Sequence, residues 1–305
     1  MPTEAAHRVP FTKFVTPVAE QYEKDPMGAL ASAGLDYEVV KRPLYFASTV
    51  PSKKSKPIKI PDRYATVKMF DGDEAYIANV GPRYEEIQNR DAFGVSQALV
   101  DVGFLVHSVG ESKDSKRVFM NLRAPDGFEV LDGEDHHELF VMVRTSHDGT
   151  LTLQGLITPV RIFCQNQMRL IESTAVDRWR FRHLAGAELA FEAETMAKLC
   201  VDYVSSYQDV AAKLAAIDLE LDATKKILEK AMPKRTEWHE GILNALENSP
   251  TVEDAHRRTG WGLVNATTEY LEWLREVKTD EARFSATVDG AALRATRKVL
   301  RQLTR

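Results

Sequence analysis

Glu138-Leu139-Phe140-Val141-Met142-Val143-Arg144, then Ser146-His147-Asp148-Gly149, then Thr150-Leu151-Thr152-Leu153-Gln154-Gly155-Leu156-Ile157, reads as two strands around a tight turn. Leu151 and Leu153 alternate with threonines, the pattern of a strand that buries one face. Asp148-Gly149 supplies the turn, because glycine enters positive φ without steric cost. Thr158-Pro159-Val160-Arg161-Ile162-Phe163-Cys164-Gln165-Asn166 then leads into a helix.

Upstream of this hairpin the chain carries further strand signals. Residues 104–110 and 117–123 are strands joined by the charged turn Glu111-Ser112-Lys113-Asp114-Ser115-Lys116. Between 84 and 102, Ile87, Phe93, Val95, Leu99 and Val102 approximate a 3.6-residue period and predict a helix. Residues 64–69 and 75–80 form a hairpin about Asp71-Gly72. Residues 37–46 make a strand pair or one bent strand, since Pro43 is disfavoured in a central strand. Residues 25–35 form a short helix, capped by Asp25, begun by Pro26 and ended by Gly34. Residues 1–24 are polar and irregular or hold a short helix.

From about residue 184 the pattern changes. Residues 186–232 are rich in Ala, Leu, Glu and Lys, with Leu214, Ile217, Leu221 and Leu228 on one stripe, until Pro233 breaks the run. Further helices cover 236–247, 251–275 and 288–304. The last is amphipathic and basic, with Arg294, Arg297, Lys298, Arg301 and Arg305. The expected fold is α+β: an antiparallel sheet of hairpins with a helix in residues 1–183, and a helical region, 184–305, packed on the sheet or extending from it.

Hydrophobic residues make up 44% and charged residues 28% of the 305, which is a globular rather than a disordered composition. The net charge of −5 excludes a wholesale polycation but not a local basic groove. Cys164 and Cys200 stand alone in apolar stretches, so the expectation is buried free thiols in a reducing cytoplasm, without a disulfide framework or a zinc site. The first residues, MPTEAAHRVPFTKF, lack the apolar core of a signal peptide. No apolar run approaches the ~20 residues of a membrane span.

Two clusters carry residue types suited to chemistry. Asp135-His136-His137-Glu138 holds metal-ligand types, but neighbours on a strand point to opposite faces and cannot aim at one ion. A solvated acidic loop explains them more simply. Ser146-His147-Asp148 holds the types of a nucleophile triad, but a triad converges from separate segments, and a hairpin tip accounts for the same letters. No phosphate-cradling G-x-x-x-x-G-K-[ST] loop and no G-x-G-x-x-G after a strand is present, which speaks against an ATPase or dinucleotide enzyme. No cofactor is expected.

What remains is basic and aromatic. The Pro- and Ser-rich segment 51–63 carries Lys53, Lys54, Lys56, Lys59 and Arg63 against one acid, Asp62. Arg178-Trp179-Arg180-Phe181-Arg182-His183 alternates cations with rings. Cations meet phosphates and rings stack on bases, so this mix suits single-stranded nucleic acid. The competing reading makes Trp179 and Phe181 core anchors beneath a solvated face.

The hairpin S-H-D-G followed by Thr158-Pro159-Val160-Arg161-Ile162-Phe163-Cys164-Gln165-Asn166 resembles the phage/plasmid-like protein family, a domain of unknown function (domain of unknown function 932) with T-P-V-R-V-V-C-x-N-T at this place. Tyr84, Gln88, Asn89 and Phe93 resemble its R-Y-x-x-x-Q-N-x-x-x-F segment, and Trp261, Asn265, Ala266, Thr268, Glu269 and Tyr270 its W-x-x-x-N-A-x-T-E-Y. Gln167 stands where that family has Thr. The resemblance implies a phage or prophage origin, hence the cytoplasm of a host cell, and supplies no activity. Arg161 either pairs with an internal acid or faces a ligand.

Three functions compete. The first is non-catalytic binding or annealing of single strands in phage replication or recombination, by an oligomer. Lys53, Lys54 and Lys56 would guide the strand, Arg161, Arg178, Arg180 and Arg182 contact its backbone, and Trp179 stack. The second is a protein–protein or self-assembly module. The third is a metal-dependent nuclease.

Overall fold

The structure, a computed structural model, describes residues 15–47, 57–133, 135–161, 166–167, 178–180, 187–288 and 290–304. It is an α+β protein with antiparallel sheets in the first half and mostly helices in the second. After a two-residue strand β1 (Thr16–Pro17) comes α1 (Pro26–Ser32). Asp25 Oδ1 accepts the Gly28 N–H at 2.9 Å, Pro26 occupies the first turn, and Gly34 leaves the helix at φ +67°. These are the expected cap, start and stop.

β2 (Glu38–Phe46), β3 (Ile58–Phe70) and β4 (Asp73–Val80) form a three-stranded antiparallel sheet in that order. Asp71 and Gly72 both have positive φ, the backbone of the twisted two-residue hairpin turn. Pro43 sits on an edge strand, where its missing N–H costs no ladder bond, and the register shifts beside it.

The helix expected over 84–102 is shorter and divided. α2 (Asn89–Ala92) and α3 (Gly94–Asp101) are helical, while residues 85–88 are irregular. The Gln88 side chain accepts from Val39 N–H at 2.9 Å and donates to Val39 C=O at 2.8 Å, an amide standing in for the next strand. That tertiary pairing outweighs the local helical period.

β5 (Leu105–Glu111), β6 (Arg117–Arg123), β7 (Phe128–Val130), β8 (Asp135–Ser146), β9 (Gln154–Arg161), β10 (Asn166–Gln167) and β11 (Arg178–Arg180) build the larger antiparallel sheet with β1. Its order is β1-β5-β6-β8-β9-β10, with β7 beside β8 and β11 beside β9. The hairpin that opened the sequence reading is the β8–β9 ladder, Arg144 opposite Gln154 and His137 opposite Arg161, but its connection is the irregular stretch 147–153, so Thr150–Leu153 expected in the second strand precede it. Asn166 and Gln167 continue the sheet against Arg161 and Val160; the helix expected after Asn166 falls outside the described residues.

The second half holds α4 (Ala187–Ala215), α5 (Leu221–Ala231), α6 (Thr236–Asn248), α7 (Gly260–Glu269, continued by a π-helical turn at Tyr270–Leu274), α8 (Asp280–Val288) and α9 (Ala291–Leu303). The long run expected over 186–232 breaks at 216–220, where Asp218 bridges to Thr259.

Alternation along the strands sorts side chains onto two faces. Val118, Met120, Leu122, Val141, Val143 and Ile157 pack under α1, α3 and α4, whose Met196, Tyr203 and Tyr207 are fully buried. The opposite face carries Phe119, Phe140, Met142 and Leu156, met by Val288 and Phe284 of α8. A separate core lies among α5, α6, α7 and α9. Helix α7 serves two of these cores: Trp261 and Val264 reach the sheet, while Leu263 and Ala266 face the helices. All ten of its residues are buried. Gly262 permits this, since a Cβ there would collide with the His256 carbonyl.

Candidate functional site

Two of the sequence stretches singled out above meet in space. The chain leaves β8 at Ser146, and His147 turns inward, fully buried. Its Nε2–H donates to Asn89 Oδ1 at 2.9 Å, while Asn89 Nδ2 donates to Leu35 C=O at 2.8 Å, which fixes the amide's orientation. Thr66 of the small sheet donates to the His147 carbonyl at 2.8 Å, and Tyr84 OH donates to the Ser146 carbonyl at 3.4 Å. Behind His147, Glu111 accepts from Tyr37 OH at 2.8 Å and from Lys68 Nζ at 2.9 Å. Lys68 also lies 3.9 Å above the centre of the Tyr37 ring.

Burial sets the charges here. It pushes the His147 pKa down to about 4, so the ring is neutral at pH 7. Burial and then the Glu111 carboxylate hold Tyr37 well above the ordinary phenol range. The cluster ties the small sheet to the large one and leaves no group exposed for nucleophilic chemistry. Ser146 Oγ accepts from Leu151 N–H at 2.9 Å, and Asp148 Oδ1 accepts from Thr150 N–H and Oγ1–H at 2.9 and 2.6 Å. Serine and aspartate close the turn, as the hairpin reading required.

Asp135-His136-His137-Glu138 is not the solvated loop the sequence suggested. It opens β8 and pairs with β7, His137 opposite Phe128. The pleat divides it as expected. Asp135 and His137 are buried, His136 contacts Glu129 at the surface, and Glu138 pairs with Arg123 at 3.1 Å. His137 Nε2 lies 3.0 Å from Tyr207 OH, within rings from Phe128 and Trp261. That aromatic wall is what draws the segment inward. Among the described residues no group of three His, Cys, Asp or Glu is placed to hold a metal ion.

A cavity of about 200 Å³ opens on the other face of the large sheet, under α8. Its floor is apolar: Phe119, Met142 and Val288, with Phe284 stacked on Phe119 at 4.7 Å between centroids. Its rim is charged with both signs. Lys116 and Asp114 pair with each other at 2.7 Å, and Glu281 accepts the Lys113 N–H at 3.0 Å. Arg117, Arg144 and Asp148 complete it. The hydrogen bonds from Thr150 hold the Asp148 carboxyl below its ordinary pKa against the opposing effect of burial, so it is charged at pH 7.

The small sheet offers a different surface. Tyr45, Phe46, Ile58 and Tyr76 are each more than half exposed. Lys59, opposite Tyr45, and Arg63 are exposed on β3, Arg42 pairs with Glu74 at 3.4 Å, and Lys41 and Lys59 approach the Tyr64 ring at 4.8 and 6.0 Å. A third basic area surrounds Trp238, which lies between Arg235 and Arg275 at 4.8 and 5.1 Å. Lys234, Arg294 and Lys298 line the same depression.

The residues expected to bind nucleic acid are scattered. Lys53, Lys54, Lys56 and Arg182 lie outside the described residues. Arg161 ends β9 opposite His137. Arg178, Trp179 and Arg180 form β11 on the edge of β9; Trp179 is half-buried against the main core, and Arg180 is exposed. The exposed rings of the small sheet and the cavity under α8 were not singled out from sequence. The Lys59 and Arg63 signal in segment 51–63 pointed beside the first.

Two antiparallel sheets, tied by the Thr66–His147 hydrogen bond and the Lys68–Glu111 pair and followed by a helical half, define the class: an α+β protein without a catalytic constellation among its described residues. The chain belongs to the family described as Domain of unknown function (DUF932), which matches residues 77–293, from within β4 to the first turn of α9. No curated protein matches the chain, and no solved structure does. Among the described residues no helix is long and apolar enough to cross a membrane.

Proposed function

We propose that the protein binds single-stranded nucleic acid without chemistry on it, in the replication or recombination of a phage or similar mobile element. The observation that carries this reading is the small sheet, which leaves Tyr45 opposite Lys59 and Phe46 opposite Ile58 exposed at one end and Tyr76 exposed at the other, with Arg63 exposed on the strand between. Exposed rings are costly to leave in water and give sequence-tolerant stacking, worth ~1–3 kcal/mol per base. Lys53, Lys54 and Lys56 belong to the same proposal and fall in the sequence between β2 and β3. Arg180, on the far edge of the large sheet, offers a further backbone contact. Self-association belongs to the same proposal and is favoured by Val201, 70% exposed on α4.

The test is anisotropy of a labelled oligothymidylate across a salt series, with Phe46→Ser and Tyr76→Ser beside the parent chain. Both side chains are exposed, so the variants keep the fold. The expectation is binding that weakens steeply with salt and falls about tenfold per lost ring, as the stacking energy implies. Affinity that stays flat as salt rises, or no binding at low salt, would overturn the reading.

A further inference from the structure

We propose that the basic depression around Trp238, between the α5–α6 turn and α9, binds linked phosphoryl groups, either of a free polyphosphate or of a nucleic-acid backbone. The backbone case rests on the single-strand reading above; the free case stands without it.

The sequence lays the depression out. Helix α5 stops at Ala231, and Pro233-Lys234-Arg235 carries the chain into α6. Opposite, Ala291, Arg294, Ala295 and Lys298 recur three and four residues apart and so share one face of α9. The two alanines leave room for a hollow of about 350 Å³, which the cationic side chains line. Trp238, 5% exposed, forms part of its wall.

Charge then selects the ligand. Lys234, Arg235 and Lys298 are exposed, and neither they nor Arg275 make an ion pair among the described residues. Arg294 is already engaged and is not counted with them. The Arg235 and Arg275 guanidiniums lie 4.8 and 5.1 Å from the centre of the Trp238 ring, which orders them without neutralising their charge. Arg275 Nε is buried and has no acceptor among the described residues. Burial and then the neighbouring Arg283 hold the Arg275 pKa below its ordinary value; Arg235 acts the same way, while Tyr270 and Glu237 oppose them. Cations gathered with so little opposing charge attract a polyanion.

Phosphate fits this set better than carboxylate. Its oxygens accept from several directions, so guanidinium forks and ammonium groups are served together. A lone carboxylate would satisfy one cation and leave the rest. A base finds no open ring to stack on, because Trp238 is buried and already met by guanidiniums. Recognition here therefore ends at the phosphates, unlike the exposed rings of the small sheet.

The experiment has two arms on the full chain. Sodium tripolyphosphate is titrated by calorimetry, and a labelled abasic oligonucleotide, which has phosphates and no bases, is followed by anisotropy. Each is run on the parent, on Lys234→Glu with Lys298→Glu, and on a control of equal charge change, Lys198→Glu with Lys213→Glu on α4. All these side chains are exposed, so the variants keep the fold. Saturable binding is expected, weakened about tenfold by the first pair and little by the control, as lost charge-assisted contacts imply. Tripolyphosphate binding alone would assign the site to a free polyphosphate, and abasic-strand binding alone to a backbone. No binding of either at millimolar concentration and low salt would overturn the proposal, as would equal losses in both double variants. Tighter binding of oligoglutamate than of tripolyphosphate would overturn the phosphate assignment. If oligothymidylate still binds and still responds to Phe46→Ser after such a failure, the single-strand reading survives alone; if it does not bind while tripolyphosphate does, only the depression stands.

Discussion

His147 Nε2 and Asn89 Oδ1 stand 2.9 Å apart across 58 residues of sequence, and this contact joins the tip of the β8–β9 hairpin to the start of α2. Because the Asn89 amide nitrogen is committed to Leu35, the histidine must donate, and its proton sits on Nε2. The Nδ1 atom is left buried without a hydrogen-bond partner. Protonating it means charging a fully buried ring, so its pKa falls to about 4.

Acid stability follows with a definite sign. Unfolded chains take up a proton on histidine near pH 6.5 and the folded one resists until about 4, so stability is complete above 6.5 and declines as pH falls between them. The expected loss for this group approaches ~3 kcal/mol. His107, also held down to about 4 by burial and then by Arg123, adds a slope of the same sign. Urea midpoints at pH 7 and pH 5 should differ more in the parent than in His147→Gln, which keeps only the His107 contribution and the carboxylates. Equal slopes would show that His147 is solvated.

Lys68 and Glu111 form a mostly buried pair that also holds the Tyr37 hydroxyl. Lys68→Ala leaves the carboxylate with one fewer partner and should cost about 2 kcal/mol in urea unfolding. Lys68→Met with Glu111→Leu should recover part of that loss, because two buried charges are removed together. A double variant less stable than the single one would contradict this.

Gly149 and Gly262 should differ in the cost of an added methyl. At Gly149 the backbone is left-handed at φ +75°, and a Cβ would stand 3.4 Å from the Tyr84 ring, so Gly149→Ala costs about 1 kcal/mol through strain. At Gly262 the methyl meets the His256 backbone, which cannot move aside cheaply. Gly262→Ala should cost about 3 kcal/mol, the upper range of overpacking. Thermal melting separates the two.

Cys200 is 5% exposed on α4, and burial pushes its thiol pKa up to about 12. In a Cys164→Ser chain, disulfide-exchange reagents at pH 8 should label it at the rate of unfolding and no faster. Prompt stoichiometric labelling of native protein would show that α4 lifts from the sheet.

Local chemistry was readable where it was self-sufficient. Asp25, Pro26 and Gly34 bounded α1, and Asp71-Gly72 marked its hairpin, whereas the alternation of Leu151 and Leu153 lies in the irregular stretch before β9. Signals failed where a distant partner decided. Residues 85–88 gave up a helical period because Gln88 pairs with Val39, and the 186–232 run broke because Asp218 meets Thr259. Helix α8 went unnoticed although Thr279 caps it through Ala282 N–H at 3.1 Å and Asp280-Glu281 fill its first turn. The motif stretches did lead to His147 and Asn89, but not to their contact. The burial of His137 and the cavity floor depend on β7 and α8 lying over the sheet, which no linear spacing encodes.

Helix α7 also governs how this chain can be taken apart for study. Trp261 fills a place beside His137 and Tyr207 at the sheet, while Leu263, two residues on, belongs to the helices. A gene fragment ending before residue 260 would express a sheet with an indole-sized hole, and one starting at α5 would display that indole to water. Crystallisation trials or partner screens therefore need residues on both sides of α7 in one polypeptide.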